Sequence, residues 1–195
     1  MSGVDYGLNI IHLKPGEAHL TDRAELVVTV LGSCLSVTMF NRSRGVAGIC
    51  HSLLPECGKR ERCSGECGEG FKYVACSIRQ MVAVFDRHGV KRGEIEVKCF
   101  GGADMFARKP AQPDIVSVGR QNILMAEKII AGEGLVLLAR DVGGLRGRKV
   151  LFYTHTGEIL LKRLRGSGDQ HGDEAGKEAF QTGEGLKGSR LKERS

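Results

Sequence analysis

Residues 29–55 read TVLGSCLSVTMFNRSRGVAGICHSLLP, and the rest of the chain is organised around them. Leu35, Val37 and Met39 alternate with Ser36, Thr38 and Phe40, a polar break follows at Asn41-Arg42-Ser43-Arg44, and Gly45 to Leu54 is a second apolar run. Period-two alternation, a polar break and another run predict a β-hairpin, and four-residue loops built on a type I turn are common in hairpins. Pairing Phe40 with Gly45 sets Thr38 against Ala47, Ser36 against Ile49 and Cys34 against His51. Side chains directly opposite on such a pair lie about 4.5–5.5 Å apart at Cβ and share a face. Strand arithmetic therefore expects a thiol facing an imidazole at the open end of the hairpin, with Cys50 on the other face beside Leu35, in the core.

On either side of this hairpin the chain reads as a mixture of strands and helices. Upstream, Leu8 to Leu13 is a predicted strand with a turn at Lys14-Pro15-Gly16-Glu17, and Glu25 to Leu31 is a strand expected to be buried on both faces. Downstream, residues 56–70 form a glycine-rich, charged loop. Val74, Ile78, Met81, Val82 and Phe85 recur at helical spacing between Phe71 and Gly89, a helix with one core-facing side. Glu94 to Phe100 is a strand, Lys109 to Asp114 a loop, Ser117 to Ala131 a second helix and Leu135 to Ala139 a further strand. Lys149 to Tyr153 and Glu158 to Leu164 form a second hairpin about His155-Thr156-Gly157. One strand–helix–strand crossover combined with antiparallel hairpins predicts an α+β fold rather than a doubly wound sheet.

Length and composition bound the function. At 195 residues the chain is expected to be one domain, residues 1–165, followed by a charged, disordered tail, 166–195. No apolar run reaches the roughly 20 residues of a membrane span, and the first residues lack the pattern of a signal peptide. Seven irregularly spaced cysteines without a secretion signal point to reduced thiols in the cytoplasm. The net charge of +6 sits in the folded body, because residues from Arg165 onward carry six basic and six acidic side chains. With 5% aromatic residues and no Trp, base stacking has little to work with, so nucleic acid is not an expected partner.

A cysteine becomes a useful nucleophile when an imidazole takes its proton, and attack on a carbonyl needs backbone N–H donors for the oxyanion. Gly32 and Ser33, directly before Cys34, are candidates for that donor set. Thr29 or a neighbouring hydroxyl is positioned to orient the imidazole as a third member. Cys57, Cys63 and Cys67 crowd the loop after the hairpin and Cys76 follows, but their spacings lack the paired C-x₂-C of structural zinc sites. A tolerated flexible loop is the expectation, with a disulfide between Cys34 and one of these thiols as a redox hypothesis.

The segment TVLGSCLSVTMF…GVAGICHSLLP closely resembles the signature of the CheD family, chemoreceptor glutamine deamidases of bacterial chemotaxis. The resemblance continues in order through KCFGGADMF (98–106), SVGRQN (117–122) and DVGGLRGRKVLFYTHTGEILLKRL (141–164), and spans roughly Leu8 to Leu164. It implies a three-layer α-β-β sandwich, and hydrolysis of receptor glutamines to glutamate with release of ammonia. It also implies Cys34 as nucleophile, His51 as general base and Thr29 as the third catalytic residue, with no metal or organic cofactor. Implied partners are the cytoplasmic helices of chemoreceptors and a CheC-type phosphatase; the alternative is a non-catalytic adaptor binding either. Transglutamination or peptide cleavage through the same thioester is a further alternative. Gly101, Gly102, Gly143 and Gly144 match family glycines and are expected to permit turns with positive φ. Arg148 is expected on a basic surface.

Overall fold

The computed structural model describes residues 7–58, 70–104 and 116–164, together with the backbone of 181–182. Ten strands form two five-stranded sheets. The first sheet has the order β1 (Asn9–His12), β3 (Glu25–Leu31), β8 (Arg148–Tyr153), β9 (Ile159–Arg163), β10 (Gln181–Thr182). The second has the order β2 (Ala18–Thr21), β5 (Val46–Cys50), β4 (Leu35–Asn41), β6 (Glu96–Gly101), β7 (Leu137–Val142). Helices α1 (Val74–Arg87) and α2 (Val118–Gly132) cover the second sheet. The result is the three-layer α-β-β sandwich.

Two apolar layers follow from the alternation of side chains along β4 to β6. Leu35, Val37, Met39, Cys50, Val97 and Cys99 face the helices and meet Ile78, Met81, Phe85, Ile123 and Ala126. Phe40, Ala47, Ile49 and Phe100 face the other way, against Val27, Leu31, Val150, Phe152 and Ile159 of the first sheet. Every residue of β4 and β5 is buried, so the central hairpin is covered on both sides. The other face of β3 is covered only in part, Val28 being buried and Leu26 half-buried. Val30 is 52% exposed, which corrects the expectation of burial on both faces: the strand is apolar, but among the described residues nothing covers Val30 on the outer face of the first sheet.

Both helices and the second hairpin lie where the periodicity placed them. Gly89, with φ +67°, follows the end of α1, and Ser117 caps α2 by accepting from the Arg120 amide at 3.3 Å. Such a cap is worth about 1 kcal/mol. The β6–α2–β7 unit is the parallel crossover. Strand β2 was not foreseen; it pairs antiparallel with β5. The tail expected to be disordered falls outside the described residues, apart from the Gln181–Thr182 backbone, which pairs with β9.

The hairpin register differs from the expectation by two residues. Phe40 pairs with Ala47 and Thr38 with Ile49, not with Gly45 and Ala47. The turn occupies residues 42–45, because the Asn41 carboxamide oxygen accepts from the Arg44 amide at 2.8 Å and from the Ser43 hydroxyl at 3.0 Å. Gly45, at φ +66°, closes the turn instead of opening the strand. The ladder continues to a Leu35–Ser52 bridge, so Cys34 and His51 are diagonal neighbours rather than opposites. A shift of two preserves side-chain parity, and the two residues keep a common face.

Candidate active site

His51 follows directly on β5 and is held from three directions. Its amide donates to the Glu17 carbonyl at 2.9 Å and its carbonyl accepts from the Gly16 amide at 2.7 Å, so the Lys14–Glu17 turn grips its backbone. Its ring crosses the space between the sheets to Thr29 of β3, with Nδ1 2.8 Å from the Thr29 hydroxyl. Both side chains are buried, at 2% and 3% exposure.

The hydroxyl has one hydrogen, and it donates it to the Leu13 carbonyl at 3.0 Å. The Thr29 oxygen must therefore accept from His51, which assigns the proton to Nδ1 and leaves the Nε2 lone pair available. Burial pushes the imidazole pKa below its ordinary 6.5, opposed by the Leu13 carbonyl and the Glu17 carboxylate. At neutral pH the ring is a neutral base in a defined tautomer.

Cys34 lies in the short passage, Gly32-Ser33-Cys34, by which the chain crosses from β3 in one sheet to β4 in the other. All three carbonyls of this passage are engaged. Gly32 accepts from the Ala103 amide and Cys34 from the Gly102 amide, each at 2.8 Å, and Ser33 accepts from the Asn122 carboxamide at 3.1 Å. Among the described residues, the amides of Gly32, Ser33 and Cys34 donate to no backbone carbonyl, and the Cys34 amide lies against its own sulfur. Successive amides left unpaired beside a half-buried thiol can receive a developing negative charge. Burial pushes the thiol pKa up, partly offset by the residue's own amide. Among the described residues no hydrogen bond joins thiol to imidazole; catalytic contacts in free enzymes are often long and tighten when substrate is bound.

The glycine and arginine motifs converge behind this passage. Gly101, Gly102, Gly143 and Gly144 all have positive φ, between 66° and 112°. A Cβ on Gly101 would come within 2.2 Å of the Cys34 carbonyl oxygen, so the contact demands glycine. Arg148 departs from expectation. It is 1% exposed, forms an ion pair with Asp141 at 2.9 Å and donates to the carbonyls of Gly101, Asp141, Gly143 and Arg146. Its charge is buried because an acid and four carbonyls surround it, so it faces no partner. Asn122, the last residue of the SVGRQN motif, was given no role from the sequence, although a carboxamide on the apolar stripe of α2 beside Ile123 and Ala126 was the available signal.

Among the described residues, Cys34, Cys50, Cys57, Cys76 and Cys99 form no disulfide. Cys50 is buried in the layer that contains Leu35. Cys63 and Cys67 lie outside the described residues. No helix among the described residues is long and apolar enough to cross a membrane.

Residues 53–163 match the family model described as CheD chemotactic sensory transduction. The chain belongs to the CheD family. Over 154 residues it is 47% identical to the probable chemoreceptor glutamine deamidase CheD 2 of Geobacter sulfurreducens, covering 79% of this chain and 89% of that protein. Over 168 residues it is 41% identical to the probable chemoreceptor glutamine deamidase CheD of Oleidesulfovibrio alaskensis, covering 85% and 78%. The family-model match begins two residues beyond His51, so Thr29, Cys34 and His51 rest on the geometry described above. A crystal structure of the hypothetical protein YfiH of Bacillus licheniformis is 15% identical, with a TM-score of 0.42 over 65% of this chain and 49% of that one.

Proposed function

We propose that this protein is a protein-glutamine deamidase that converts glutamines of chemoreceptors to glutamate through a thioester on Cys34. The observation that carries the reading is the Thr29–His51 hydrogen bond at 2.8 Å, because a binding module has no need of a buried imidazole held in one tautomer. Membership of the CheD family and the names of its relatives supply the substrate class.

In this mechanism the Cys34 sulfur attacks the side-chain carboxamide carbon while His51 Nε2 takes the thiol proton. The oxyanion forms against the amides of the Gly32–Cys34 passage. His51 returns the proton to the departing ammonia, and a thioester remains. Water, deprotonated by the same nitrogen, then hydrolyses it to the carboxylate and frees the thiol. With the thiol pKa raised and the imidazole pKa lowered, the resting pair is neutral, and His51 acts as a general base during attack rather than as a standing imidazolium.

The catalytic unit is residues 1–165, acting in the cytoplasm on the receptors' cytoplasmic helices; a CheC-type phosphatase is the second proposed partner. The test is intact-mass analysis of a cytoplasmic receptor fragment incubated with the wild-type protein and with Cys34→Ala. Wild type should add about 1 Da per modified glutamine, –NH₂ being replaced by –OH through the thioester, and Cys34→Ala should add nothing. If both proteins bind the fragment and neither changes its mass, the adaptor reading takes precedence.

A further inference from the structure

Beyond the Leu35–Ser52 bridge the β4–β5 ladder ends, and the amides of Leu53 and Leu54 turn away to the Lys72 carbonyl at 2.9 and 3.1 Å. At this open end one strand leads into Cys34 and the other comes from His51. A single side chain joins them. Asn122 donates one N–H to the Ser33 carbonyl at 3.1 Å and the other to the Leu53 carbonyl at 2.9 Å. Ser33 is the residue before the nucleophile, and Leu53 lies two residues beyond the base. Because both partners are carbonyl oxygens, the carboxamide cannot be turned over without setting oxygen against oxygen.

The placement of Asn122 is itself constrained. It has no exposed surface, and it sits between Gly119 and Ile123 in the first turns of α2. A Cβ on Gly119 would come within 2.6 Å of the Gly102 carbonyl oxygen, and one on Gly102 within 2.7 Å of Ile123. The helix therefore rests backbone to backbone on the glycine turn whose amide holds the Cys34 carbonyl. The remaining carboxamide oxygen of Asn122 is buried and has no hydrogen-bond partner among the described residues. Leaving a buried acceptor unpaired carries an energetic cost, which an apolar residue at this helix position would avoid. Its two donated bonds are what the carboxamide provides here.

We infer that Asn122 is a positioning residue, which sets the separation of Cys34 from His51 and, by holding the Ser33 carbonyl back, turns the amides of the passage toward the substrate. This inference rests on the deamidase reading for its kinetic consequence, but not for its structural one. Release of the Ser33 carbonyl frees the passage, so the Cys34 thiol becomes more accessible and loses part of the burial that raises its pKa. The same release misplaces the oxyanion donors. The thiol should then alkylate faster while the enzyme turns over more slowly, a pair of opposite changes that loss of stability alone does not produce.

The experiment compares the full-length wild type, Asn122→Asp, Asn122→Leu and Ala126→Gly. The last weakens the same face of α2 without touching the clamp. Circular dichroism and thermal melting establish that each is folded. Iodoacetamide labelling of Cys34, followed by peptide mass at neutral pH, should be about five-fold faster in both Asn122 variants and within two-fold of wild type in Ala126→Gly. On a receptor fragment, kcat should fall about 10- to 100-fold in the Asn122 variants with KM within two-fold. Unchanged labelling in folded Asn122 variants overturns the inference whether or not the wild type deamidates the fragment. So does a loss that appears in KM instead of kcat, or one that Ala126→Gly shares. A wild type that leaves the fragment unmodified defeats the deamidase reading, and labelling still decides the clamp.

Discussion

The two halves of the site are built differently. His51 is fixed on every side: its amide, its carbonyl and its Nδ1 all have partners, and the ring is 2% exposed. Cys34 is half-buried in a passage that is fixed on its carbonyl side only. The amides of Gly32, Ser33 and Cys34 have no backbone acceptor among the described residues, that of Cys34 lying against its own sulfur. One half is complete before a substrate arrives, and the other leaves its donors for the substrate. Preorganisation of this kind places the fixed dipoles where charge develops in the transition state. The sandwich makes this division possible because the base hangs from one sheet against a threonine of the other, while the nucleophile occupies the crossing between them.

The comparison can be broken first on the fixed side. His51→Gln should lower kcat by about 10²- to 10⁴-fold, the range for loss of a general base, with receptor-fragment binding retained; steady-state kinetics and a binding titration separate the two. On the open side, the support behind the passage can be removed. Among the described residues, Arg148→Met leaves Asp141 with Arg163 alone as its ion-pair partner and takes a donor from each of four carbonyls, so denaturant unfolding should show a loss of about 3–5 kcal/mol. A fully exposed arginine would cost almost nothing.

Thr29→Val sharpens the contrast. It removes the oxygen that accepts from Nδ1 but leaves the Leu13 carbonyl nearby, so kcat should fall only about ten-fold, the lower end for partners that orient a functional histidine. A thousand-fold loss would mean that the hydroxyl does more than orient the ring. The smallest effect is on pH dependence. The folded-state pKa of His51 is depressed, so the unfolded chain binds more protons at this residue between that value and the ordinary 6.5. Stability should therefore rise with pH across that window and be flat above it as far as this group is concerned, and kcat/KM should share the acid limb. Measuring both in wild type and His51→Gln isolates the residue: the variant should lose this component of the stability slope.

Much of this was legible in the sequence, and the failures have identifiable causes. Alternation exposed the central hairpin and helical spacing exposed both helices, because core-facing periodicity is a local property. The register missed by two because Asn41 spends its carboxamide on the turn and Gly45 belongs to it. The common face of Cys34 and His51 survived because parity is insensitive to an even shift. Strand β2 has four residues, all of intermediate burial, and its pairing with β5 is non-local. Arg148 was read as a surface charge because nothing local announces five oxygen atoms supplied by four residues between 101 and 146. Asn122 is the instructive omission, since a polar residue within an apolar helical stripe was visible and its two carbonyl partners, 69 and 89 positions away, were not.

The central claim is that the fold presets His51 as a neutral base with its proton on Nδ1. The direct measurement is ¹⁵N NMR of histidine-labelled protein at neutral pH, with the His51 resonances assigned by comparison with His51→Gln. The account predicts a protonated Nδ1 and an unprotonated Nε2 for this residue. A proton on Nε2 with Nδ1 bare, or an imidazolium with both nitrogens protonated, would contradict it.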